Sequence, residues 1–398
     1  MHPIERHNGI KPVSFFVSGE EKQVFPGSHL WEVPLSGKNT QTSFNISSNN
    51  PIQKSLVTIG DYFSAAHRFL SENDFSRLKT GLEIFLKRPG LTHQFERITL
   101  FLEKHGAFYH PLKIEVRLIE NQSCYFVLNG AVSRLGLALI ENEYQLISGL
   151  NKTFPKQYLP RGFSVDVIKT DKGRIGFFLG EWFEGYKEFH ATQKQGRRKV
   201  VIWESDGSYN YISETMALPI YHEISRILTC YYDIETFEQI FPWHHGAGDF
   251  IVKIEDDKID VRMITVRGYS ALTELDDSSE NKTKHILPGL LFFFLNLTLR
   301  IRLDRLNGTG PAVILGKKII PVAIEGFLQA LEEKATQYDY GDIRLSFIEF
   351  FRQFNLEQIM ELMENILESC HSDASEISVI KENIESHSRI LHAIFKKV

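Results

Sequence analysis

Apolar positions first recur with a helical period. Residues 61–87 place Phe63, Leu70, Leu78, Leu82 and Phe85 at mostly helical spacing, and 71–74 offer a cap or break between two helices. The period then shortens to two. Residues 97–103 (RITLFLE) predict a strand, and 113–119 (KIEVRLI) set Ile114, Val116 and Leu118 against charged neighbours, as in a strand with one solvated face. Residues 123–132 (SCYFVLNGAV) predict a third, more apolar strand. Over 135–150 the helical period returns, with Leu135, Leu139, Leu146 and Leu150 as one stripe and Ile147 beside it. Strands at 162–169 and 174–181 follow, joined by Asp171-Lys172-Gly173.

From residue 213 the pattern is mainly helical. Helices are predicted at 214–232 and near 287–305, 322–336, 343–353, 355–370 and 376–396. One hairpin interrupts them, with strands at 250–254 and 259–264 and a turn at Asp256-Asp257-Lys258. The first 55 or so residues are rich in Ser, Asn, Gly and Pro; 41–51 read as loop, and a short β pattern at 14–17 is expected to pack on the main body. The chain has no internal repeat.

With 398 residues, 42% hydrophobic and 24% charged, the chain can bury a sizeable core and is not a disordered polymer. A net charge of −5 gives no general nucleic-acid footprint, and none is expected as a partner. The one basic cluster, KQGRRK at 194–199, reads as a solvated loop or as a contact for phosphate or an acidic partner. Cys124, Cys230 and Cys370 are odd in number and far apart, which fits buried thiols in a reducing, cytoplasmic setting. The start of the chain lacks a signal pattern. The longest apolar run, 286–299, holds Pro288 and Asn296 and is shorter than the ~20 residues of a membrane helix, so no membrane span is expected.

Three strands, a helix, two strands and then a helical region broken by a hairpin: this order resembles the protein-kinase-like fold, most closely its aminoglycoside phosphotransferase and choline kinase branch. The resemblance covers about residues 97–335. It implies an α+β, two-lobed fold with a five-stranded antiparallel N-lobe and a mainly helical C-lobe. The expected divisions are an extension at 1–90, an N-lobe at 91–190, a C-lobe at 191–340 and C-terminal helices at 341–398.

The resemblance also implies site residues. The phosphate-covering loop falls at 104–111 (KHGAFYHP), where Lys104, Gly106 and His105 offer contacts but only one glycine is present. Asn129 stands where the third strand carries its lysine, and Lys113 on the preceding strand is a substitute from another direction. Glu143, in ENEYQLISGL, matches the helix glutamate, with Glu141 the alternative. FFLGEWFEGY at 177–186 is similar to the hinge, so backbone groups around Glu181, Trp182 and Phe183 would meet an adenine edge.

In PWHHGAGDFIV at 242–252, His244 takes the place of the catalytic aspartate and Asp249 that of the metal-binding asparagine. Thr265 stands where the family has its second metal aspartate. The implied cofactors are ATP or another nucleotide and magnesium, with a nucleotide or small molecule in the interlobe cleft. Only the helix glutamate among the family's charged positions is kept, so a catalytically degenerate nucleotide-binding or regulatory scaffold is expected. The alternative is an atypical phosphotransferase acting on a small molecule or protein, with His244 or His245 as base, Asp249 on metal and Lys104, Lys113 or Arg267 on phosphate. A closed metal site from His244, His245 and Asp249 lacks further ligands, and no Gly-x-Ser-x-Gly elbow supports a hydrolase. The apolar stripes of the last helices, from Phe347, Phe350, Phe351 and Phe354 to Leu367, are expected to pack on the C-lobe or to meet a protein partner.

Overall fold

The computed structural model describes residues 13–36, 56–87, 95–103, 108–119, 122–204, 207–243, 245–256, 258–272, 282–369 and 374–397. The expected loop at 41–51, the turn residues Asn121 and Asp257, and Cys370, Lys104, His105, Gly106 and His244 lie outside them. The chain divides into two compact units, 1–149 with 160–184 and 150–159 with 185–398.

The first unit is built on β1 (Val13–Val17), the short α1 (His29–Glu32), α2 (Ile59–Leu86), β2 (Phe95–Leu102), β3 (His110–Leu118), β4 (Ser123–Ala131), α3 (Arg134–Thr153), β5 (Gly162–Thr170) and β6 (Gly173–Glu181). Its sheet runs β1-β2-β3-β4-β6-β5. The five expected strands pair antiparallel with one another. The segment at 14–17, expected only to pack nearby, is a sixth strand that pairs parallel with β2.

Alternation along β3 is strict: Leu112, Ile114, Val116 and Leu118 are buried while Lys113, Glu115 and Arg117 are half-exposed. The buried set joins Tyr62, Phe63, Phe69, Leu78 and Leu82 of α2 in one core. α2 breaks at Glu72, Asn73, Asp74 and Phe75, where helical backbone angles are lost, in line with the break expected from the sequence. Gly130 on β4 lets Tyr62 approach; a Cβ there would sit 1.8 Å from the Tyr62 hydroxyl, which donates to the His110 carbonyl. The opposite face meets α3, where Tyr144 packs edge-on to Phe178 of β6 at 5.5 Å.

The buried stripe of α3 is Gly136, Ile140, Glu143, Ile147 and Leu150, at spacings of four, three, four and three. This corrects the expected stripe. Leu135 is 54% exposed, and the face is rotated because Gly176 of β6 admits Leu137 and Ile140 at close range.

The second unit carries a three-stranded sheet, β7 (Phe189–Lys194), β8 (Arg197–Trp203) and β9 (Tyr209–Ser213), in that order. Then come α4 (Glu214–Cys230), β10 (Glu238–Ile240), the short turn α5 (Gly246–Asp249), the hairpin β11 (Phe250–Glu255) and β12 (Lys258–Met263), and β13 (Tyr269–Ala271). α6 (Lys282–Arg300), β14 (Leu303–Arg305), β15 (Ala312–Ile314), α7 (Ile319–Lys334), α8 (Ile343–Phe351), α9 (Leu356–Ser369) and α10 (Ala374–Phe395) complete it. The helix expected near 287–305 stops at Arg300, and the chain turns into β14, which pairs with β15.

The C-terminal helices face inward. Phe347 and Phe351 of α8 and Phe395 of α10 surround Phe294 of α6 at ring separations of 5.3, 5.7 and 5.6 Å. A buried polar network reinforces this contact. Arg302 donates to the Leu315 carbonyl (2.8 Å) and to Nδ1 of His387 (3.0 Å), whose Nε2 meets the Thr298 hydroxyl at 3.2 Å. Burial, with the Arg302 charge beside it, keeps the His387 imidazole well below its usual range. It is therefore neutral and accepts from the guanidinium.

A five-strand antiparallel run with one helix inserted between its third and fourth members in sequence, followed by a mainly helical unit holding a hairpin, is the α+β kinase-like class. No described helix is long and apolar enough to cross a membrane.

Candidate functional site

The positions singled out in the sequence divide between the units. In the first, Lys113 and Asn129 point to the face of the sheet that meets α3. Lys113 is registered with Val127, and Asn129 with Phe178, which packs on α3. The Lys113 ammonium lies over the rings of Tyr125 (4.7 Å) and Trp182 (5.4 Å). Such a seat attracts the ammonium electrostatically and orients it.

Glu143 is 3% exposed and lies in the buried stripe of α3, whereas Glu141 is exposed. Glu181 behaves differently. It is registered with Phe126, on the α2 face, and its carboxylate holds Arg161 through a two-point pair at 2.9 and 3.0 Å. Its N–H donates to the Arg161 carbonyl. Neither its side chain nor its N–H is therefore open to a ligand. Phe183, two residues on, is half-buried.

In the second unit the turn α5 ends at Asp249, which is 2% exposed. Its carbonyl accepts from the N–H of Ile264 at 2.9 Å, so the hairpin brings residue 249 beside Thr265 as expected. The sequence did not indicate what happens next. Asp249 Oδ1 lies 2.7 Å from Nη2 of Arg267, two residues past Thr265. A hard cation such as magnesium takes oxygen ligands, usually one or two carboxylates with phosphates and water. Here the carboxylate is already matched by a guanidinium, and Thr265 adds no charge. Among the described residues no group of three or more His, Cys, Asp or Glu side chains is placed to hold a metal. The donor set does not fit a magnesium ion.

His245 meets Glu376 of α10 at 3.1 Å, and Arg305 reaches the same oxygen at 3.4 Å. Burial works against the Glu376 charge, but the hydrogen bond from His245, with the positive charges of His245, Arg305 and Arg300, holds its carboxyl below the usual range. His245 therefore anchors the loop to α10.

A second pair was not foreseen. His190 of β7 places Nδ1 2.9 Å from Oδ1 of Asp304 on β14; Asp304 is 1% exposed and also accepts from the N–H groups of Ala191 and Arg305. The His190 ring packs at a tilt against Trp203, with centroids 5.1 Å apart, and its Cε1 lies 3.8 Å from where a Cβ on Gly248 would be, one residue before Asp249. With its members 114 positions apart, the pair leaves no local signal in the sequence.

No protein-family model matches the chain, and no curated protein matches it. Solved structures similar to it include a macrolide 2′-phosphotransferase, MphH, from Brachybacterium faecium (10% identity, 79% of this chain and 95% of that one, TM-score 0.29). The PAN3 pseudokinase of Neurospora crassa is another (11% identity, 80% of this chain and 69% of that one, TM-score 0.27). Likeness at this level bears on neither site nor activity.

Proposed function

We propose that this kinase-like protein serves as a nucleotide-binding or regulatory scaffold and does not run metal-dependent phosphoryl transfer. The observation that carries the reading is the Asp249–Arg267 pair. Phosphoryl transfer depends on metal ions and cations that neutralise charge developing on the phosphate. A guanidinium fixed on the one candidate carboxylate spends both charges on each other. What remains for a nucleotide in the first unit is Lys113, Asn129 and Glu143, with the backbone near Phe183. These favour weak binding that needs no magnesium. The buried thiols Cys124 and Cys230 fit a reducing compartment such as the cytoplasm.

One observation favours a second reading, an atypical phosphotransferase acting on a small molecule or protein. The Asp304 carboxylate is placed 2.9 Å from Nδ1 of His190 to accept from it, and in the tautomer protonated there Nε2 is the acceptor atom of the ring. A base oriented in this way, with Nε2 toward Gly308 and Cε1 toward Gly248, has the form of a proton acceptor for a hydroxyl nucleophile.

The deciding experiment measures ATP turnover by the wild type and by Asp249→Ala, His190→Ala and His244→Ala. The scaffold reading expects no turnover above background in any of them. Turnover at an ordinary kinase rate of about 1–100 per second, abolished by these substitutions, replaces it with the second reading.

A further inference from the structure

The basic cluster at 194–199 plays no part in the chemistry above. It forms the hairpin joining β7 to β8, with Gln195 and Gly196 in left-handed conformations at φ 51° and 73°. Cross-strand register puts Lys194 opposite Arg197, and Thr192 opposite Lys199 and, one strand further, Ser213. Lys194, Arg197 and Lys199 thus project from the same face as Tyr209 and Tyr211 of β9. No ion pair to a described residue occupies Lys194, Arg197, Arg198 or Lys199. By contrast Glu204, at the end of β8, is tied to Lys187 (2.5 Å) and Asn210 (2.8 Å). The result is four uncompensated positive charges within six residues of a chain whose net charge is −5.

β9 is the terminal strand of its sheet. Glu204 donates to the Ser208 carbonyl, and the register continues through Ile202 with Asn210. The antiparallel alternation therefore turns the N–H and C=O groups of Tyr209 and Tyr211 to the outer edge. Tyr209 is 56% exposed there. An open edge beside a cationic face suits one kind of visitor: an extended chain that pairs through its backbone and brings carboxylates on alternate side chains.

We propose that the β7-β8-β9 sheet accepts an extended acidic segment of a partner protein as a fourth strand along β9. A second copy of this chain fits poorly, because pairing β9 with β9 would bring two cationic hairpins onto one sheet. Single-stranded nucleic acid also fits poorly. The Tyr211 ring is covered by Lys194 at 4.2 Å, and Tyr209 meets it at 69° and 5.2 Å, so the two rings offer no parallel platform for bases.

The test is fluorescence polarisation with a labelled alternating Glu-Val octapeptide, the same peptide with proline in place of valine, and a twelve-residue oligothymidylate. They are titrated with the whole protein and with its Lys194→Glu/Arg197→Glu/Lys199→Glu variant. All three substituted side chains are exposed or half-exposed, and an unchanged melting temperature establishes that the variant folds. The expected result is saturable binding of the Glu-Val peptide, weakened at least about tenfold by charge reversal and by proline, and recovered when a Lys-Val peptide is offered to the variant. The proposal is overturned by lack of saturation, by equal binding to the variant, by equal binding of the proline peptide, or by tighter binding of the oligothymidylate.

Discussion

Asp249 and Arg267 form an ion pair of 2.7 Å in which the carboxylate side chain is 3% exposed and the guanidinium 18%. The hairpin β11–β12 makes the pair possible, because it returns the chain beside Asp249 just before Arg267. An aspartate in this setting works as one half of a structural pair, and its charge is not available to a divalent ion.

Removing one partner should therefore be costly. Arg267→Ala takes the guanidinium away from a buried carboxylate, and a loss of about 3–5 kcal/mol is expected in urea denaturation. The double variant Asp249→Asn/Arg267→Met should lose clearly less than the sum of the single changes. A loss under about 1 kcal/mol for Arg267→Ala would show that the carboxylate is solvated or held by other groups.

The C-terminal helices belong to the core of the second unit. Phe395 stacks on Phe351 at 4.1 Å and is 1% exposed. Phe395→Ala should cost about 3–5 kcal/mol. A surface role for this stripe would instead leave the urea midpoint close to wild type.

Gly130→Ala tests the register of α2 against the sheet. Its methyl group would overlap the Tyr62 ring, with 2.6 Å or less to three of its atoms. Overpacking of this kind costs about 1–3 kcal/mol or more. Tyr62→Leu in the same chain should recover part of the loss, and a purely additive double variant would place the strain elsewhere.

Lys334 gives a pH dependence with a definite sign. Its ammonium is 1% exposed, donates to the Cys230 carbonyl at 2.7 Å and lies 5.0 Å from the centre of the Phe154 ring. Burial pulls it down to about 8. An unfolded lysine titrates near 10.4, so between about pH 8 and 10 the unfolded chain binds more protons. Lys334 then makes stability rise with pH across that window. The Cys230 thiol, pushed up to about 11 by burial and Glu333, acts in the opposite direction, so wild type is best compared with Lys334→Met, which keeps the thiol. The variant's advantage at pH 7 should shrink toward pH 10. A constant difference in urea midpoint would mean that the lysine stays charged.

Patterned segments of the fold were readable from the sequence. Alternation in KIEVRLI, the break at 72–75 and the hairpin after Asp249 each follow from local chemistry, and each is present. The parallel pairing of β1 with β2 spans some eighty residues and left no local trace. The sheet β7-β8-β9 was missed because Arg197, Arg198 and Lys199 mask the start of a strand whose buried part is only Val200, Val201 and Ile202. At the candidate site, motif spacing brought Asp249 beside Thr265 but could not show which charge Asp249 would meet. The Arg267 and His190–Asp304 contacts arise from tertiary folding, which spacing along the chain does not encode.

The central claim is most directly tested by thermal shift of the wild-type protein with ATP, once with magnesium and once with a chelator, since a ligand that binds only the native state raises the melting temperature. The two curves should coincide, magnesium adding nothing to whatever shift ATP produces. A shift that appears only with magnesium, and disappears in Asp249→Ala, would contradict the account by showing that Asp249 holds a metal despite Arg267.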